Sequence, residues 1–582
     1  MRRFAILLVV AGLLIAAPMA GAQEEEEAGS ILRVGLAQPW STLNVTAGFE
    51  VSVYEYWNLM YATLTDKAAE DFATIPGLAE SWEASDDGLT YTYTLREGLL
   101  WSDGEPLTAD DIAWTINTSR DQAWSNHIAT VQNLDAVAVD DRTLTITSSV
   151  PDPRLPTMDV YIVPRHIWEP IAPDGEAVVS YEALDGVGSG PFVLEEYAEE
   201  QFIRMSANPN YWGGRPTLDG VVLQVYTNAD AMVAALQQGQ IDAAHDIDEA
   251  SVAALEEDPN IEVVVGYQGG FDEIAINGGA AEGQPHPALL DIEVRRAINY
   301  AIDKEAVIED VLSGFGEVAT TISPSADPAW IPEIPADEQL TYDVERANQT
   351  LDDAGYLDTD GDGIREMPGG GDPIVLRHGV NTDSGTYPAI GDMFVGWMES
   401  IGIGVELIPA DGGQLFEIIV QGDYDTFAWG WTPFVDPSPM LSYFTSAELG
   451  NYNDANWFDP EYDALYEQQN QELDPAVRRD LVHQMLRILY DAAVYIPIEY
   501  SPDIQAYRTD RFEGWVRQPA DVGPVMFSNG SPSYVLLTPV GGGVGGGTNW
   551  IPIAIGAAVV LIGGGVALAA VRRRGTSADE RE

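Results

Sequence analysis

The residues best suited to hold a small molecule lie in Phe427 to Met440, FAWGWTPFVDPSPM. Phe427, Trp429 and Trp431 alternate, the spacing that sends strand side chains to one face, and the loop that follows delivers Asp436. An aromatic wall with one carboxylate suits a solute that has an apolar body and a cationic or hydroxyl group. In the alternative reading Phe427 and Trp429 are core and Asp436 only orders its turn. A second chemistry is written in DTDGDGIRE, Asp358 to Glu366. Asp358, Asp360 and Asp362 have the spacing of positions 1, 3 and 5 of a calcium loop, Gly363 supplies the turn at 6, the Ile364 carbonyl falls at 7 and Glu366 at 9. Position 12 is Gly369 instead of a bidentate glutamate, so the expectation is a structural calcium site on a surface insertion, set against a plain acidic turn. No other cofactor is called for.

Enzyme signatures do not emerge. None of His127, His166, His245, His286, His378 and His483 begins an HExxH motif, and neither GxSxG nor a phosphate-cradling GxxxxGKS/T occurs. Among 93 acidic residues a glycosidase-like pair has no sequence specificity, so a secreted, membrane-anchored hydrolase using two cleft carboxylates stands as the alternative to a binding protein.

The elements that must position these residues alternate between strand and helix. Ile31 to Ala37 reads as a buried strand, Gly48 to Leu64 as a helix, and Leu89 to Gly98 alternates as an antiparallel strand. Leu107 to Ser119 opens with Thr108 as N-cap before Asp110 and Asp111, and strands return at Arg142 to Ser148 and Gly220 to Val225. From Phe271 a second half begins. A long helix is expected over Asp291 to Gly314, with Gly314 at its end, and others over Tyr342 to Ala354, Ile390 to Ile401 and Pro475 to Tyr490. Short strands fall between them, the last carrying Trp429 and Trp431. The pattern is α/β with an antiparallel insert, spread over more residues than one core supports.

Composition narrows the partners. The 582 residues carry 93 acidic and 27 basic side chains, a formal net charge of -66, which repels nucleic acid and anionic membrane surfaces. Cysteine is absent, which excludes disulfides, thiolate metal sites and a lipid on an N-terminal cysteine. Residues 1–22, with Arg2 and Arg3 ahead of an apolar stretch and small Ala20 and Ala22, have the pattern of a secretory signal. Residues 23–30 read as an acidic lead-in and Thr538 to Asn549 as a glycine-rich leash. Trp550 to Val571 is apolar, would make a helix of roughly 33 Å, and precedes Arg572, Arg573 and Arg574. These features lead to the expectation of a C-terminal transmembrane helix, a single-pass cell-membrane placement with the body extracellular, and a cytoplasmic tail over 572–582.

The block SWEASDDGLTYTYTLREGLLWSDGEPLTADDIAWTI, Ser81 to Ile116, closely resembles the signature of the family 5 extracellular solute-binding proteins, the dipeptide, oligopeptide and nickel receptors of ABC importers. Further blocks continue the resemblance in order: Gly186 to Tyr197, Ala207 to Val221, Ala235 to Ala244, Asp291 to Ile308 and Tyr342 to Tyr356. It implies a two-lobed fold of the type II periplasmic-binding-protein kind, closing over a solute by a hinge and delivering it to a permease and ATPase pair. Lobe one would comprise 31–48, 187–272 and 498–537 with an extra subdomain at 49–186, and lobe two 273–497. The implied crossovers fall near Phe271 to Asn277 and Tyr495 to Tyr500. In the implied cleft, Trp40 follows the first strand, Tyr387 lies at a helix start, Tyr500 lies at the return crossover, and Trp429, Trp431 and Asp436 form the remaining candidates. In peptide-binding members this loop resembles GWxxDxxDP, with an acidic residue ahead of the Asp-Pro pair receiving the peptide amino group. Here Pro433, Phe434 and Val435 occupy that stretch, which weakens the case for peptide amine recognition. A peptide or oligopeptide-like solute is nevertheless the leading expectation for the cargo, with an oligosaccharide and a metal chelate left open.

Overall fold

The computed structural model describes residues 30–48, 51–280, 284–383, 385–526, 530 and 532–541. Its backbone is one eleven-stranded sheet that runs through both lobes, with a separate four-stranded antiparallel sheet. From the lobe-two edge the order is Gly404–Ala410, Val375–Asn381, Thr426–Trp431, Ile261–Ile276, Tyr495–Arg508, Ala243–Ala244, Ile31–Leu36, Gly220–Val225, Phe202–Ala207 and Phe192–Ala198. Glu317–Val318 adds a short rung to Tyr495–Arg508.

Two strands cross between lobes, Ile261–Ile276 and Tyr495–Arg508, and they pair antiparallel along their length. Residues 261–267 pair with 502–508 in lobe one, and 271–275 pair with 495–500 in lobe two. The register shifts between Tyr267 and Phe271 and again between Asp272 and Glu273. Such bulges bend a strand and re-aim its side chains. Gly269 makes the first one possible: its φ is +84°, and a Cβ there would sit 2.6 Å from the Ser325 carbonyl.

Each lobe clothes its part of the sheet on both faces. In lobe one, Trp57 and Tyr56 of the helix Val51–Met60 pack with Val34, Val221 and Phe192. The opposite face is covered by Met232, Leu236 and Leu255 from the helices Ala229–Gln237 and Glu249–Glu256. In lobe two, Val294, Leu351 and Phe394 cover one face while Leu415, Met485 and Leu486 cover the other. The four-stranded sheet, ordered Ala79–Ala84, Thr90–Leu95, Thr143–Ser148, Leu134–Ala138, holds its own core around Tyr93, Ile112 and Leu144 against the helix Ala109–Asp121. Thr108 caps that helix as expected, its N–H donating to Asp111 Oδ2 at 2.8 Å.

The helix expected over Asp291 to Gly314 divides into Ile292–Ala301 and Lys304–Asp310. The break has a local cause: Ile302 is extended, and the Asp303 carboxylate accepts the Ala306 N–H at 3.0 Å, starting a new helix.

The membrane-related expectations require correction. The leader and the apolar run from 550 to 571 lie outside the described residues, and among those described no helix is long and apolar enough to cross a membrane. The long helix Pro475–Ala492 illustrates why, since Arg478, Arg479, Asp480, Arg487 and Asp491 interrupt it. What the structure supports is the two-lobed α/β body with its subdomain. The C-terminal transmembrane helix, the membrane as a partner, the single-pass placement and the cytoplasmic tail are not carried forward.

Candidate functional site

The strand crossing brings together two differently furnished faces. Pairing of Phe271 with Trp431 and of Glu273 with Trp429 puts these four side chains on the same face. Phe271 and Phe427 are fully buried, while Trp429 and Trp431 stay partly exposed where the strand leaves the core. Trp431 Nε1 donates to Glu273 Oε1 at 3.0 Å. Its ring lies 5.1 Å from Tyr443, which lies 5.0 Å from Tyr452, so the aromatic wall extends beyond the strand. From the other lobe Tyr54 meets Phe434 edge-on at 6.3 Å. Behind the wall, burial raises the Glu273 and Asp454 carboxyls well above their ordinary values. Tyr495 donates to Asp454 Oδ1 at 2.6 Å.

On the opposite face Asp272 stands directly across from Glu499. The Tyr387 hydroxyl donates to Asp272 Oδ1 at 3.0 Å, and Ser501 Oγ donates to Glu499 Oε1 at 2.9 Å. Burial pushes Asp272 up to about 6, against the Tyr387 hydrogen bond that favours its charge. Burial and then the neighbouring Asp272 push Glu499 up to about 8. Gly430 permits the arrangement, for a Cβ there would lie 2.4 Å from Asp272 Oδ1 and 2.5 Å from the Tyr387 hydroxyl.

The remaining expected residues are dispersed. Trp40 is 2% exposed and lies in the lobe-one core. Tyr500 sits at the crossing, donating to the Thr321 carbonyl at 3.0 Å and packing edge-on against Tyr267. Asp436 is engaged by Arg478 in a bidentate pair at 2.8 and 2.9 Å and accepts the Ser438 N–H at 2.9 Å. Burial works against its charge, but Arg478 outweighs this and holds Asp436 below the usual carboxylate value. Trp429, Trp431, Tyr387 and Tyr500 are thus brought to the crossing, while Trp40 and Asp436 have structural partners of their own.

Sequence reasoning missed Asp272, Glu273, Glu499 and Asp454. A signal existed for three of them: FDEIAI and IPIEY place carboxylates inside apolar strand runs, where a charge is costly. It also missed the buried pair in lobe one, where His245 Nε2 lies 3.1 Å from Glu55 Oε1 and Tyr534 donates to the same carboxylate. Burial alone would lower His245, but Glu55 raises it to about 9. Gln505 links His245 to Asp503, which also accepts from Gln268 at the crossing.

The acidic loop closes on itself in the way its spacing suggests. One carboxylate oxygen from each of Asp358, Asp360, Asp362 and Glu366 falls within 4.8 Å of the others. Asp358 accepts the Gly361 and Gly363 N–H groups at 2.6 and 3.0 Å, and Asp362 accepts that of Ile364 at 2.8 Å. Four carboxylate oxygens this close together could hold a metal ion, and Glu366 Oε2 also accepts the Thr359 N–H and hydroxyl at 2.7 Å.

A sheet shared by two lobes, crossed by two strands and lined at the crossing by aromatic side chains, is the architecture of a two-lobed solute-binding protein. Comparison with known proteins agrees. Residues 73–452 match the family described as bacterial extracellular solute-binding proteins, family 5 middle region, and the chain belongs to that family. It is similar to heme-binding protein A of Haemophilus influenzae, 29% identical over 76% of this chain and 82% of that one. It is also similar to the oligopeptide-binding protein AppA of Bacillus subtilis, 28% identical over 69% and 73% of the two chains. Among solved structures the fold matches CtaP, an ABC transporter substrate-binding protein of Listeria monocytogenes, with a TM-score of 0.74, 24% identity and coverage of 88% and 99%. It likewise matches NikA of Brucella suis in complex with Fe(III)-EDTA, with a TM-score of 0.73, 22% identity and coverage of 87% and 99%. The protein is therefore a binding receptor and not an enzyme, and the hydrolase alternative is set aside.

Proposed function

We propose that this receptor captures a small organic solute, peptide or peptide-like, against the aromatic wall at the strand crossing and delivers it to a permease and ATPase pair. The observation that carries this reading is the pair Trp429 and Trp431, partly exposed at the crossing while Thr426, Phe427 and Ala428 of the same strand are buried. Exposed aromatic area of this kind gains most when a ligand covers it. The bulge at Gln268 to Gly270 supplies a bend about which the lobes close, and relatives named for dipeptide, oligopeptide and heme binding support an organic cargo. Native mass spectrometry of the purified protein tests the reading. A co-purified solute released chemically intact, and lost from Trp429→Ala/Trp431→Ala, is the expected result. An altered product, or retention by the double variant, would overturn it.

The convergent oxygens of Asp358, Asp360, Asp362 and Glu366 support a structural calcium site, with the Ile364 carbonyl as a fifth donor. Calcium is expected to raise Tm for the wild type and not for Asp358→Asn/Asp360→Asn; equal Tm with and without calcium would remove the site.

A further inference from the structure

Resting on the solute-capture reading, we infer that Glu273 is a positioning residue of the aromatic wall: it shares a proton with Asp454 and pins the Trp431 indole at the place where the solute packs. The strand register puts it on the required side of the sheet. Glu273 stands opposite Trp429 and diagonal to Trp431, on the face that carries both rings. Trp431 Nε1 donates to Glu273 Oε1 at 3.0 Å, and the same indole N–H also faces Asp454.

Two buried acids side by side must be kept neutral or paired. Glu273 is 0% exposed and Asp454 5%, and neither has an ion-pair partner among the described residues, although Arg377 and Arg478 elsewhere each hold an acid. The other titratable groups around the pair are Asp272, which leaves the opposite face of the sheet, and the phenols Tyr387, Tyr424 and Tyr495. None of these is a cation, so a proton held between the two carboxyls is what relieves their repulsion. Glu273 Oε2 has no donor among the described residues, as fits an oxygen that itself carries the proton and donates it. Asp454 Oδ1 accepts the Tyr495 hydroxyl at 2.6 Å, and Tyr495 accepts the Ala455 N–H at 3.1 Å, which fixes the loop that carries the second acid.

A comparison among the indoles shows why Trp431 needs such a partner. Trp101 and Trp168 are fully buried and keep their places with no acceptor for Nε1 among the described residues, because packing surrounds them. Trp431 is partly exposed at the last position of its strand, with Tyr443 5.1 Å away, so packing alone leaves its ring room to turn. A hydrogen bond to a buried acceptor removes that freedom before the solute arrives, and preorganisation of this kind strengthens binding.

The test follows the Trp431 indole N–H by NMR of protein isotope-labelled at its tryptophan nitrogens, the resonance being identified by its loss in Trp431→Phe. Solvent exchange of that proton is expected to quicken ten-fold or more in Glu273→Ala and to return to near the wild-type rate in Glu273→Gln, which keeps an acceptor oxygen. Native mass spectrometry of the purified proteins should show the solute lost from Glu273→Ala and kept by Glu273→Gln. The infrared difference spectrum between wild type and Glu273→Gln/Asp454→Asn should contain a protonated carboxyl band at neutral pH. An exchange rate unmoved in Glu273→Ala, no rescue by Glu273→Gln, or solute retained by Glu273→Ala overturns the positioning role, and absence of the band overturns the shared proton. If wild type carries no solute while the exchange results hold, the capture reading falls and the pinning of Trp431 stands. Thermal unfolding of each variant shows that the fold is kept.

Discussion

Two carboxylate sites on either side of the end of the strand Thr426–Trp431 have opposite fates. Asp436 lies in the loop after Trp431 and is matched by Arg478, which also binds Ser438 Oγ at 2.8 Å and Gln469 Oε1 at 3.1 Å. Asp272 pairs with Gly430 near the end of the same strand, and among the described residues Asp272 accepts from the Tyr387 hydroxyl and Glu499 from Ser501 Oγ. The first site is a closed circuit that fixes a loop. The second keeps acceptors unmatched at a point where the chain crosses between lobes.

The sharpest way to break this contrast is Arg478→Ala. It leaves Asp436 part-buried without its cation and should cost about 3–5 kcal/mol, read as a lower denaturation midpoint at unchanged m-value. A loss below about 1 kcal/mol would place Asp436 among ordinary surface pairs. Gly430→Val comes next. Its side chain would enter the space of Asp272 Oδ1 and the Tyr387 hydroxyl, so a loss of about 1–3 kcal/mol is expected together with weakened binding.

The sites should also answer pH in opposite directions. Asp272 and Glu499 are raised to about 6 and about 8, so between the ordinary carboxyl range and those values the folded state holds the extra protons. Their contribution to stability is therefore full in acid and is lost as pH rises through about 6 to 8. His245, raised to about 9, has the same sign. Asp436 is lowered, so its contribution is present above the ordinary carboxyl range and lost as pH falls through its folded value. Wild-type Tm should consequently be higher at pH 5.5 than at pH 8.5, and Asp272→Asn/Glu499→Gln should flatten that slope. A Tm that rises with pH in wild type would contradict the assignment. The smallest expected effect is Tyr387→Phe, which removes one hydrogen bond to Asp272 and should change stability by about 0.5–1.5 kcal/mol, measured by the same denaturation.

Local patterns carried far in this protein. Thr108 and Asp111 lie three residues apart and cap a helix by themselves, so the cap was legible. The alternation of Phe427, Trp429 and Trp431 survived because a strand imposes its period on whatever residues it contains. The expected long helix from Asp291 did not survive, because its apolar periodicity runs across Asp303, whose carboxylate caps a new helix there. The Asp-Pro loop illustrates the other limit: its carboxylate was visible, but not the arginine 42 positions later that consumes it.

By itself the sequence determined the family scaffold, the alternation of strands and helices, the acidic character and the aromatic strand that faces the crossing. All of these depend on residue types within a few positions of one another. Only the tertiary structure decided which acid is spoken for and which is left open. Asp272 and Glu499 belong to strands brought together by the return of the chain, and their energies depend on burial and on neighbours remote in sequence.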